Sequence, residues 1–233
     1  MLYDFIEIYD LASARSVVEE SSSQPRLIRK DWLEAGKRNC KRIIEVFESV
    51  YDEKSSKDSG LAYFNKNRQK VCASKTFDFG TDNSINDPIY YFINSALESY
   101  TKKYDYLNTI NKASQWRLCP SYNVQRYDGE QEGFFALHNE HSGSYPYRML
   151  AWMVYLNNAK CGTEFPYQEK IVMPEVGRTV IWPAGWTHPH KGVTPNEGLK
   201  YIATGWFYFL PKGKEPKFDG HHPDETNIQE IVI

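Results

Sequence analysis

The sequence predicts an α+β chain in which helices come first and an antiparallel β-sandwich or barrel follows. Three observations carry this expectation. Residues 30–51 and 85–104 repeat apolar side chains at helical spacing. After residue 113 the chain becomes short apolar or alternating runs separated by Gly, Pro, Asn and Asp. The 17 tyrosines and 6 tryptophans suit half-buried pleated surfaces. A chain of 233 residues can bury one sizeable core. We therefore expect a single domain over 1–233, with mainly helical support in 1–112, a β core in 113–211 and a C-terminal tail in 212–233.

Taken in order, DFIEIYD at 4–10 alternates as a short strand does, and LASARSVVEE after it reads as a helix. SSSQP at 21–25 breaks that pattern, and the amphipathic stretch from Lys30 to Tyr51 is the first long helix. DEKSSKDSG at 52–60 is polar and turn-rich, an exposed loop. KVCASKTFDFG reads as a strand. The run at 85–104, with Asp87–Pro88 near its start, reads as the second long helix. Then come SQWRLCPSYNVQRYDG, GFFALHNEH, RMLAWMVYLN, KIVMPE, GRTVIWPAG and LKYIATGWFYFLP, six or more strands. The Pro- and Gly-containing tail is expected to wrap the surface.

Composition narrows the function classes. Lys plus Arg number 28 against 30 Asp plus Glu, and no long basic run marks a nucleic-acid surface. KNRQK at 66–70 and Lys102–Lys103 read as solvated faces. The first ten residues carry three acids and no basic n-region, unlike a secretory signal, and the apolar runs are too short to span a bilayer. The expectation is a soluble, cytoplasmic protein with no membrane partner. Cys40, Cys72, Cys119 and Cys161 form no CxxC pair, so reduced buried thiols are expected rather than a zinc ribbon or a disulfide framework.

All 6 histidines fall in the β half: His138, His141, His188, His190, His221 and His222. In a strand alternate residues share a face, so His138 and Glu140 point one way and His141 the other. An imidazole and a carboxylate so placed can reach one cation. HxE alone is weak, but a second histidine comes from the Pro/Gly-bounded loop WPAGWTHPHKG, and Lys200 follows ten residues after His190. Lys200 shares a strand face with Ile202, Thr204 and Trp206. It is either edge decoration or a buried cation awaiting an anion. Two histidines and one carboxylate form the facial triad of non-haem iron(II) oxygenases, which keeps positions open for other ligands. Zinc hydrolases have no need of the lysine.

From about Tyr122 to Phe209 the chain resembles the prolyl 4-hydroxylase-like branch of the 2-oxoglutarate/Fe(II)-dependent dioxygenases. The residues that carry the resemblance are YDG, HNE, Arg148, YLN at 155–157, CGTEFP, PEVG, HKG and Lys200. Seven residues separate Arg148 from Tyr155, and six separate Lys200 from Trp206, as in the family. The resemblance implies a double-stranded β-helix, jelly-roll or cupin-like, supported by the N-terminal helices. It implies His138, Glu140 and His190 as iron ligands. Lys200 would pair with the distal carboxylate of 2-oxoglutarate, beside a hydrogen bond from Thr163, and Tyr127 would contact the cosubstrate near the metal. Arg148 and Trp206 match positions lining the substrate side. Fe(II), 2-oxoglutarate and O2 are the implied cofactor and cosubstrates, with ascorbate as accessory reductant. The reaction would hydroxylate a substrate, peptidyl proline by resemblance, releasing succinate and CO2. Other peptide, protein or small-molecule substrates stay open.

Two features depart from the family pattern. The acid is Glu rather than Asp, one methylene longer. The eleven residues from Tyr127 to His138 also enlarge the intervening turn. His188 competes with His190 for the ligand role, and the HKG context favours His190. Arg148 reads equally as a salt-bridge partner, His141 as a neighbour of the ligands or a surface imidazole, and His221 and His222 as solvated. Trp152, Trp182 and Trp186 read as core or rim. The alternatives from other classes are another metal-dependent cupin-like enzyme and a non-catalytic jelly-roll binding module.

Overall fold

Strand β7 (Arg148–Tyr155) is buried on both faces, and its alternation explains the layering of the molecule. Leu150, Trp152 and Val154 belong to one hydrophobic cluster, shared with the helices. Ala151, Met153 and Tyr155 belong to another on the opposite face. The computed structural model describes residues 4–11, 25–51, 70–81, 83–130, 132–143, 145–193 and 198–210. The helix expected at 11–20, the loop at 52–60, the tail at 212–233 and His221 and His222 all lie outside the described residues, as residue 11 alone of those segments is described.

The main sheet also contains β1 (Glu7–Tyr9), β3 (Ala73–Asp78), β4 (Trp116–Leu118), β5 (Ser121–Asp128), β10 (Thr179–Pro183) and β12 (Leu199–Phe209). Its antiparallel order is β1-β10-β7-β12-β5-β3, with β4 paired to the far end of β12. The N-terminal part is therefore more than helical support, because β1 and β3 form the two ends of this sheet. Smaller sheets join β2 (Lys70–Val71) to β6 (Gly133–Phe134), and β11 (Lys191–Gly192) to β8 (Thr163–Phe165) and β9 (Lys170–Val172). The arrangement is mostly antiparallel sheet with few helices.

Helices α1 (Pro25–Val50) and α2 (Asn83–Lys103) cover one face; the short α3 (Tyr106–Ala113) follows. Cys40, Ile43 and Phe47 on α1, and Ile85, Ile89, Phe92, Ile93 and Ala96 on α2, recur at helical spacing and bury against Trp152, Tyr122 and Val124. Burial of this stripe holds the helices better than propensity alone could. Asn86 is fully buried, yet its Nδ2 donates to Asp78 O (3.0 Å) and its Oδ1 accepts from Tyr122 Oη (3.0 Å), tying α2 to β3 and β5. At the sheet centre Gly205 faces Trp152 in register, where a Cβ would come within 2.5 Å of the indole. Gly177 adopts φ +78° and leaves its space to Leu11. No described helix is long and apolar enough to cross a membrane.

One expectation is corrected here. GFFALHNEH is not a continuous strand: regular pairing ends at Phe134, and His138 makes an isolated antiparallel bridge with His190. The segment then hands its next hydrogen bond to a different partner, with Glu140 N donating to Ala184 O at 3.1 Å. Such a crossing between two partners is incompatible with one continuous ladder.

Candidate active site

The bridge does what strand alternation was expected to do. His138 N donates to His190 O (3.1 Å) and His190 N to His138 O (2.8 Å), so the two residues oppose each other directly. Their side chains rise on one face, with ring centroids 4.3 Å apart. The second anchor, at Ala184, swings Glu140 to the same place. Glu140 Oε1 lies 3.6 Å from His138 Nε2 and 3.3 Å from His190 Nε2. One donor atom from each of the three residues falls within 4.8 Å of the others, and this is the grouping of its kind among the described residues.

The protonation pattern follows from the partners. His138 Nδ1 lies 3.0 Å from Ala136 O, and His190 Nδ1 lies 3.1 Å from His188 O. Carbonyls only accept, so each Nδ1 carries a proton, and each Nε2 is the ring nitrogen turned toward Glu140. Burial alone would raise the Glu140 carboxyl, but the His138 and His190 rings hold it well below the usual carboxylate range. Two neutral imidazole nitrogens and one carboxylate oxygen are the donor set that iron(II) takes in a facial triad. Phe134 stacks on His138 at 3.5 Å between centroids, and Trp182 meets His190 edge-on. Both rings lock the ligand orientations.

The rest of the predicted set lies in the same cavity of about 470 Å³, within the usual size of a small-molecule site. Tyr127, Arg148, Thr163, Lys200 and Trp206 all line it. Lys200 is 5% exposed and stands opposite Tyr127 in the β5–β12 register. Its Nζ lies 4.9 Å from the Tyr127 ring centroid and donates to Cys161 O at 3.4 Å. No salt bridge joins Lys200 to an acid among the described residues. Burial lowers its pKa, the thiols of Cys161 and Cys72 opposing. Thr163 Oγ1 accepts from Tyr155 Oη at 2.8 Å, and Tyr127 Oη donates to Gln125 Oε1 at 2.7 Å. Burial pushes the Tyr127 phenol well above its ordinary range, so it stays protonated.

Other expected residues separate cleanly. His188 is turned away, with Nε2 2.6 Å from Asp4 O and Nδ1 2.9 Å from Thr187 Oγ1. His141 is exposed and outside the cluster. Trp152 is core, Trp182 is a buried wall of the cavity, and Trp186 is 76% exposed. The four cysteines are buried thiols outside any disulfide, Cys161 included despite its place beside Gly162. Sequence reasoning missed Ser74, Thr76, Asn123, Gln125 and Tyr145, which also line the cavity. Asn123 and Gln125 share a face with Tyr127 on β5, a signal alternation carries. Ser74 and Thr76 arrive only through β3–β5 pairing.

Fold and site together place a donor set that could hold a metal ion in one cavity on an antiparallel sheet. Residues 122–208 match the family described as the 2OG-Fe(II) oxygenase superfamily, a stretch that includes His138, Glu140, His190 and Lys200. Residues 122–208 therefore resemble a 2-oxoglutarate/Fe(II) oxygenase domain, a match that implies iron(II) as cofactor and 2-oxoglutarate and O2 as cosubstrates. Among solved structures the chain is similar to a viral collagen prolyl hydroxylase from Paramecium bursaria Chlorella virus-1. That match has 18% identity, covers 75% of this chain and 91% of that one, and gives a TM-score of 0.50. A prolyl hydroxylase from Trichoplax adhaerens, in complex with a hypoxia inducible factor oxygen degradation domain peptide fragment, matches at 15% identity. It covers 88% of this chain and 84% of that one, with a TM-score of 0.52. At these identities the likeness is one of fold. No curated protein sequence matches.

Proposed function

We propose that the protein hydroxylates a prolyl residue of a peptide, converting 2-oxoglutarate to succinate and CO2, on a double-stranded β-helix framework. The observation that carries this reading is one cavity holding both the His138–Glu140–His190 cluster and the buried Lys200. His138 and His190 through Nε2, and Glu140 through Oε1, are the residues that would hold iron. When bound, the iron supplies oxygen activation coupled to decarboxylation of the cosubstrate.

The chain's own part is positioning and exclusion of water. Lys200 receives the distal carboxylate of 2-oxoglutarate, giving the buried ammonium its anion. Thr163, tied to Tyr155 Oη at 2.8 Å, holds its hydroxyl on the same cavity wall, where it can meet that carboxylate. Tyr127 supports the ammonium with its ring. Met153, Trp182 and Ile202 wall the cavity with apolar surface and keep water from it. Arg148, Trp206 and Tyr145 form the side that meets substrate. A peptide ligand is supported by the Trichoplax relative, whose structure holds one. Four buried thiols outside any disulfide suit a reducing, cytoplasmic setting.

The test is turnover of 2-oxoglutarate to succinate with added Fe(II) and ascorbate, alongside a peptide array read for the gain of one oxygen mass. Prolyl peptides that gain oxygen only with Fe(II) support the reading. Succinate formation stimulated by small molecules but by no peptide would overturn the substrate assignment, and no succinate at all would overturn the whole.

A further inference from the structure

The longer acid at position 140 is held at both ends. Its Oε1 faces the two histidine Nε2 atoms, while its Oε2 accepts from Trp206 Nε1 at 2.8 Å. Arg148 NH1 lies 3.4 Å from the same Oε2 and 3.4 Å from the Glu140 carbonyl. The Arg148 guanidinium is itself fixed between two rings, 3.8 Å from the Tyr145 centroid and 3.5 Å from that of Trp206. Arg148 and Trp206 are each 7% exposed, so water competes little with them for the carboxylate.

We propose that Trp206 and Arg148 are positioning residues that lock Glu140 into presenting a single oxygen to the metal, an arrangement matched to glutamate's length. This rests on the reading of His138, Glu140 and His190 as metal ligands. A carboxylate with both oxygens loose can swing onto a cation through both and occupy an additional coordination position. Engaging Oε2 would prevent that and leave the remaining coordination positions to the cosubstrate and O2. The same contacts explain how a glutamate serves here. Shortening the acid by one C–C bond, about 1.5 Å, would part it from the indole or from the histidines.

The experiment is calorimetric titration of the metal-free protein with Mn(II), a redox-stable stand-in for Fe(II). The variants are Glu140→Ala, Trp206→Phe, Arg148→Gln, Glu140→Asp and the Glu140→Asp/Trp206→Phe double. Trp206→Phe and Arg148→Gln should each weaken Mn(II) binding by about 10–100-fold. Melting of the metal-free proteins separates this from misfolding. Glu140→Asp should also weaken binding, and adding Trp206→Phe to it should change little further, because the contact is already lost. In the Mn(II)-loaded Trp206→Phe protein, the infrared splitting of the carboxylate stretches should narrow as the second oxygen joins the metal. If Trp206→Phe does not fold, Arg148→Gln carries the same test. Folded Trp206→Phe and Arg148→Gln proteins that both bind Mn(II) like the parent, beside a weakened Glu140→Ala, overturn this inference alone. Unchanged binding by Glu140→Ala overturns the ligand reading beneath it.

Discussion

Replacing Lys200 with methionine separates the cosubstrate anchor from the metal site. The side chain is buried, donates only to the Cys161 carbonyl at 3.4 Å, and has no acid paired with it among the described residues. In the free protein this ammonium is desolvated without an ionic partner, which is why its pKa is lowered. Methionine keeps the bulk and removes the charge. Metal-free Lys200→Met should therefore melt at the same temperature as the parent or higher. Binding of 2-oxoglutarate should fall sharply, since removing one partner of a buried ion pair costs about 3–5 kcal/mol, between roughly a hundredfold and a few thousandfold in affinity. Mn(II) affinity should change little.

The pH dependence has a definite sign. Because the folded pKa is below the unfolded one, the unfolded chain binds more protons between them, and the free protein gains stability as pH rises through that window. Cosubstrate binding runs the opposite way: it needs the ammonium and weakens as pH rises through the lowered pKa. Anaerobic calorimetry with 2-oxoglutarate on the Mn(II)-loaded protein, with melts across pH, checks both. An affinity for 2-oxoglutarate within about threefold of the parent in Lys200→Met would refute the reasoning.

Glu140→Ala should abolish Fe(II)-dependent succinate formation, because only two imidazoles remain, whereas His141→Ala should keep most of it, its side chain being exposed and outside the cluster. A dead His141→Ala beside an active Glu140→Ala would reverse the ligand assignment. Gly205→Ala places a Cβ 2.5 Å from the Trp152 ring. It should cost about 1–3 kcal/mol of stability, read as a lowered melting temperature. Thiol reagents should label the native protein slowly and the denatured protein at four cysteines, all buried in the fold, with the Cys40 thiol pushed up to about 12 by burial. Rapid native labelling at Cys40 would contradict that environment.

The local elements were legible because they depend on periodicities within one segment. The stripe Cys40, Ile43, Phe47 announces α1, and the alternation of β7 and β12 announces buried strands, since a side chain's face is set by its neighbours in sequence. The candidate donor set was legible for a related reason: His138, Glu140 and His190 sit in the short motifs that carry the resemblance, and the fold groups them. What sequence could not show was which distant backbone each segment meets. Only pairing with β5 and β10 puts β3 and β1 at the ends of the main sheet, and only the His138–His190 bridge, followed by the Ala184 bond, brings Glu140 to the histidines without a continuous strand. His188 and His190 share a strand-like spacing, and tertiary contact alone separates them: Asp4, 184 residues away, takes the first. The indole behind Glu140 is likewise a contact across 66 residues. Chain-local spacing decides which residue types are available and which way they can face. Long-range hydrogen bonds decide which of them converge, because that convergence is determined by packing rather than by any repeat along the chain.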